Sequence, residues 1–162
     1  AVLRVIGRGD DLPRLQALRA RLGLGRAVEF LGRVDDARLA AELRACALFA
    51  LPSEKEGFGL VLLEAMANGR PCLGARAGAI PELITDATGV LVEFGNVPAI
   101  ADGCIAALRR TWDEDAILAR ARQFSFERFK MRLAVLLGDA EPSSAGESVV
   151  ETPPASHALS PS

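Results

Sequence analysis

The sequence is poor in several residue types at once, and each scarcity removes a class of function. Of its 19 basic residues only Lys55 and Lys130 are lysine, and His157 is the one histidine. Three cysteines, Cys46, Cys72 and Cys104, stand far apart. Odd in number and without metal spacing, they frame neither a zinc cluster nor a disulfide scaffold. Each sits among apolar residues, which reads as a buried free thiol in a reducing compartment. No apolar run approaches the roughly 20 residues that a membrane-spanning helix needs. No signal peptide is visible either, and together these point to the cytoplasm. A net charge of -2 implies no polyanion partner, so nucleic acid is not expected. The arginine and alanine bias reads as base composition of the source genome, not as a phosphate site.

What is present is enough for one domain: 162 residues, 50% of them hydrophobic. Short apolar runs alternate with helical patterns. The runs are Val2–Ile6, Val28–Leu31, Ala47–Leu51, Pro71–Leu73 and Gly89–Val92. Between and after them the spacing predicts helices over Leu12–Leu22, Asp36–Cys46, Gly59–Asn68, Ile80–Thr85, Val97–Arg110, Asp113–Arg122 and Phe126–Leu137. Alternation of this kind implies right-handed crossovers and a parallel sheet covered on both faces. The expected fold class is therefore α/β, a Rossmann-like parallel sheet flanked by helices. Asp10 and Asp11 before Pro13 suit a capped helix start, and Asp35 and Asp36 can cap the next helix. The domain is expected over 1–138. Residues 139–162 turn small, polar and proline-rich, the composition of a disordered tail. His157 lies in that tail, which cannot hold a base in reaction geometry.

The most informative stretch runs from Pro52 to Pro71. Pro52 and Ser53 end a strand, and in open α/β sheets ligands bind outside the carboxyl ends of the strands. Gly57 and Gly59 let backbone approach a ligand closely. The helix that follows leaves its first N–H groups unpaired at its positive end, where a phosphate or sugar oxygen fits. Phe58, between the glycines, reads as an anchor into the core ahead of a ligand contact. Glu64 is a carboxylate inside Leu60-Val61-Leu62-Leu63-Glu64-Ala65-Met66-Ala67. It can accept from the paired hydroxyls of a ribose, or stand on a solvated stripe; spacing alone leans to the second. Glu56 sits where a carboxylate favours the helix dipole, and also where it could accept from a sugar hydroxyl.

Three other glycine-bearing segments are less specific. Gly7-Arg8-Gly9 lacks the third glycine of a dinucleotide fingerprint and reads as a turn needing positive φ. Gly32-Arg33-Val34-Asp35-Asp36 could meet a nucleotide base, or be a helix cap. Gly74 to Pro81 reads as a tight strand-to-helix connection.

Taken together these segments resemble the C-terminal domain of retaining GT-B glycosyltransferases of the large family four. The matching pieces run in family order: Val5-Ile6-Gly7-Arg8-Gly9-Asp10, Phe30-Leu31-Gly32-Arg33-Val34, Ala47 to Ser53, Glu56 to Pro71, Gly78-Ala79-Ile80-Pro81-Glu82-Leu83-Ile84, Gly89-Val90-Leu91-Val92 and Phe124-Ser125-Phe126. The resemblance covers roughly residues 1–130. It implies transfer of a hexose, of mannose or glucose type, from a nucleotide diphosphate sugar to a hydroxyl acceptor on a glycan, lipid or small molecule. By resemblance Glu64 holds the donor ribose and Glu56, the catalytic candidate, contacts the donor sugar. Gly57, Phe58, Gly59, Leu60 and Val61 match the turn and first helical residues beside the sugar and diphosphate. Val34, with Asp36, matches the loop along the base. No cofactor and no obligatory metal are implied.

The chain also departs from that pattern. The earlier strand and the arginine–lysine pair that clamps the diphosphate have no equivalent here, nor has the N-terminal domain that supplies the acceptor site. The chain thus reads as a donor-binding part truncated at its N-terminus, inactive alone, with an opening in its sheet where the first strand is missing. The absent domain could also tie the protein peripherally to a membrane. The alternative is a non-catalytic nucleotide-sugar-binding or interaction module of the same fold.

Overall fold

A computed structural model describes residues 1–138, so the expected tail over 139–162, with His157, lies outside the described residues. Residues Ala1–Ser125 form one compact unit, and a second begins at Phe126. Five short strands alternate with helices: β1 (Leu3–Ile6), α1 (Leu12–Arg21), β2 (Val28–Gly32), α2 (Asp36–Ala45), β3 (Phe49–Leu51), α3 (Leu60–Ala67), β4 (Cys72–Ala75), α4 (Ile80–Leu83) and β5 (Gly89–Val92). Then come α5 (Val97–Arg109) and α6 (Glu114–Arg122). The second unit holds α7 (Phe126–Leu137), where the rings of Phe126 and Phe129 stack 6.4 Å apart.

All strand pairs are parallel, as the alternation predicts. Among the described residues the sheet comes in two pieces, β1-β2 and β3-β4-β5, with no ladder between them. The expected opening is therefore present. It corrects one expectation: parallel strands should be buried on both faces, but only β4 is buried at every residue. β1 is mostly exposed and Ala50 in the middle of β3 is exposed, because each has an unpaired edge. Of the cysteines Cys72 alone is fully buried, and burial pushes its thiol up; Cys46 and Cys104 are half-buried.

The core gathers around α3. Leu62, Ala65 and Met66 are fully buried, against Cys72 of β4, Ile80 and Leu83 of α4 and Ile117 of α6. Full burial of each large side chain contributes about 1.5–3 kcal/mol, so α3 is held chiefly by its inner face. The caps differ in kind. Asp35 caps α2 as expected, accepting from Arg38 N–H at 2.7 Å. Asp11 makes no such bond; its carboxylate is taken by Arg14 at 2.6 Å. Gly7 has the positive φ expected of it, 125°.

One ion-pair cluster joins β1 to α2. Glu42, a largely buried carboxylate, accepts from Arg4 at 2.9 Å and pairs with Arg38 at 2.6 Å. Hydrogen bonding to Arg4 leads the causes that hold the Glu42 carboxyl below its usual range. A carboxylate whose folded-state pKa is depressed adds stability above its unfolded pKa and loses it as pH falls through the folded one. The urea midpoint of the chain should therefore drop on acidification more steeply than that of Glu42→Gln. Parallel acid profiles for the two would show that the cluster adds no acid-linked stability.

Candidate functional site

The site grows out of how α3 begins. β3 ends at Leu51, and the chain then turns through Pro52 to Phe58 before the helix starts. The Glu56 carboxylate folds forward and its Oε1 accepts from Gly59 N–H at 3.0 Å. Leu62 and Leu63 N–H both bond to the Gly59 carbonyl. The N–H groups of Leu60 and Val61 have no acceptor among the described residues. These are orphan donors at the positive end of a helix, the arrangement that receives an anion. The surface around them is open: Phe58 is 51%, Leu60 62% and Val61 40% exposed.

Phe58 is thus no core anchor; its ring stands half in solvent beside the helix start. The two glycines also separate. Gly59 has φ +81° and a Cβ there would lie 2.6 Å from Leu83 Cδ1, so the fold itself demands glycine. Gly57 is exposed, has no positive φ, and a Cβ added to it would meet nothing within 4 Å. Nothing in the packing demands glycine at 57, and its backbone is the one left open to a ligand.

Glu64 lies on the outer face of α3, in line with Leu60 and Val61 and about 6 Å further along the axis than Leu60. Its carboxylate is exposed and has no hydrogen-bond or ion-pair partner among the described residues. It lines an open cavity of about 420 Å³ with Ala67 and Asn68 of α3 and Asp36, Leu39, Ala40 and Leu43 of α2. Glu64 and Asp36, named from separate stretches of sequence, are thereby brought to one cavity. Gly57, Phe58, Gly59, Leu60 and Val61 are not in its wall; they stand at the α3 end beyond it. Val34 is half-buried in the loop before α2. The apolar wall from Leu39, Ala40 and Leu43 was not singled out in the sequence, where an i, i+4 leucine pair looks like any core stripe. Ser53 was not named as a site residue either; its Oγ, two residues past β3, is buried without a hydrogen-bond partner among the described residues.

Residues 1–124 match the family model described as Glycosyl transferases group 1. The chain belongs to this family. It is 42% identical over 132 residues to N-acetyl-alpha-D-glucosaminyl L-malate synthase of Bacillus anthracis, covering 80% of this chain and 34% of that protein. It is 39% identical over 110 residues to phosphatidyl-myo-inositol mannosyltransferase of Mycobacterium leprae (strain TN), covering 66% of this chain and 28% of that protein. The chain therefore spans about a third of the length of these curated relatives. Among solved structures, Anabaena HepE in complex with UDP aligns with TM-score 0.72 and 29% identity over 86% of this chain and 41% of that one. The lipopolysaccharide outer core galactosyltransferase WaaB, at 23% identity and TM-score 0.75, covers the same shares and has the same fold. This member of the family thus has the α/β fold expected of it, a parallel sheet flanked by helices like that of its GT-B neighbours. No helix among its described residues is long and apolar enough to cross a membrane.

Proposed function

We propose that this chain is the donor-binding part of a retaining glycosyltransferase that moves a hexose, of mannose or glucose type, from a nucleotide diphosphate sugar to a hydroxyl acceptor. The observation that carries the reading is the outer face of α3. Two unpaired N–H groups at its positive end lie between Glu56, which caps Gly59, and Glu64, which shares a cavity with Asp36. From Gly59 to Glu64 the helix advances about 7.5 Å, room for a diphosphate at the N–H groups with the ribose toward Glu64 and the sugar toward Glu56. Asp36 and Val34 then border the base. Charge on the departing diphosphate is met by oriented N–H donors, without an obligatory metal. In a protein of the relatives' length the acceptor site lies in a further domain and an earlier strand and loop carry the remaining diphosphate ligands; the present chain alone is inactive. A cytoplasmic setting, soluble or peripheral to a membrane through that domain, suits a nucleotide-sugar donor.

The test is a calorimetric screen of uridine, guanosine and adenosine diphosphate sugars against that full-length protein. One of the three should bind saturably, and failure of all three removes the reading. Gly57→Ala refines it. In that variant donor affinity should fall by about 5- to 150-fold, since forcing one methyl into a close contact costs about 1–3 kcal/mol, while the thermal midpoint stays put. Unchanged affinity would place the donor away from Gly57.

A further inference from the structure

Glu56 is held from two directions. Its carboxylate is bonded to Gly59 N–H, and its main-chain carbonyl accepts from Ala79 N–H at 3.1 Å. The second contact comes from the loop between β4 and α4, far away in sequence. Gly78 in that loop has φ +54°, and a Cβ there would stand 2.6 Å from the Glu56 carbonyl oxygen and 3.1 Å from its nitrogen. No side chain fits between the two backbones, so glycine is required by conformation and by contact.

The loop is itself anchored. Ile80 and Leu83 of α4 are buried in the core. The last α4 carbonyls accept from Arg120 of α6, at 3.0 Å to Leu83 and also to Glu82. Leu83 in turn packs into the space that Gly59 leaves. The same short element thus touches Glu56 and the first residue of the helix that Glu56 caps.

We infer that the Gly78–Ala79 turn is the positioning element for Glu56, fixing its main chain so that the carboxylate meets the α3 N-terminus and the sugar end of the donor. The functional half of this statement rests on the donor-site reading above. One Glu56 oxygen is committed to Gly59; the other is left for a sugar hydroxyl, and its position follows the backbone that the turn holds. The sequence alone showed only a tight connection here, because nothing local reveals that its far side is Glu56.

Nitrogen-15 NMR of the chain reads the geometry without reference to function. The Gly59 amide shift should respond to ionisation of Glu56 as pH is lowered, and Glu56→Gln should abolish that response. Gly78→Ala should abolish it too. Gly95→Ala is the control: it has φ +73° but open space around its Cβ position, so it should lower the thermal midpoint and keep the Gly59 response. A Gly78→Ala chain with the Gly59 response intact overturns the inference. Should that variant not fold, the unaltered chain still decides, since a through-hydrogen-bond coupling between the Ala79 nitrogen and the Glu56 carbonyl carbon is required and its absence is contradictory. In the full-length protein, Gly78→Ala should lower kcat by about 100-fold, the order expected for a displacement near 1 Å, with unchanged affinity for whichever of UDP, GDP and ADP the unaltered protein binds. If the Gly59 response is lost while kcat is untouched, the turn still positions Glu56 and the donor role of Glu56 is refuted.

Discussion

Glu64→Ala in the full-length protein is expected to lower donor affinity by roughly 10- to 150-fold, the equivalent of about 1.5–3 kcal/mol for hydrogen bonding to a charged group. The fold gives no competing reason for a carboxylate at this position. Glu64 faces outward from a helix whose inner face is buried, and it has no partner among the described residues. Replacing it with alanine leaves the core untouched and suits the helix, so thermal stability should hold or rise slightly. Acceptor affinity should stay as it was. Calorimetry with the donor and the acceptor, each alone, separates these effects. Equal donor affinity in the variant would return Glu64 to the solvated stripe that its spacing first suggested.

The second large effect concerns stability. Gly59→Ala should destabilise the chain by about 2–4 kcal/mol: about 1–2 for an alanine in left-handed conformation, and the rest for forcing a methyl against Leu83 in a filled core. The clash is with Leu83 Cδ1 at 2.6 Å, the end of a side chain that is 2% exposed, so relieving it means repacking the buried neighbours of Leu83. Urea unfolding measures the loss. Adding Leu83→Val to Gly59→Ala should recover part of it, because the shortened side chain vacates the contested space. A stability loss for Gly57→Ala as large as for Gly59→Ala would contradict the different reasons assigned to the two glycines.

Most of the secondary structure was legible because its signals are local. β5 and α7 fall at their expected bounds, Gly89–Val92 and Phe126–Leu137, since each apolar pattern is bracketed by a glycine or a cap. The Asp35 cap was readable for the same reason. Asp11 was not, because Arg14 competes for its carboxylate one turn later. Phe58 was misread because an aromatic between glycines usually anchors a turn; only the packing shows that Leu83 and Leu62, not Phe58, fill the space beneath. The candidate site divides in the same way. The α3 start and Glu64 could be named from one stretch of sequence. That Asp36 and Glu64 share a cavity, and that Gly78 presses on Glu56, depend on how α2 and α4 pack, which no local pattern states.

The central claim is that a nucleotide diphosphate lies along the outer face of α3. A nitrogen-15 NMR titration of the chain with UDP, GDP and ADP tests it most directly. The account predicts saturable shifts for the amides of Gly57, Leu60 and Val61, together with Glu64 and Asp36, from at least one of the three. Shifts confined to other faces of the chain, or none from any nucleotide at millimolar concentration, would contradict it.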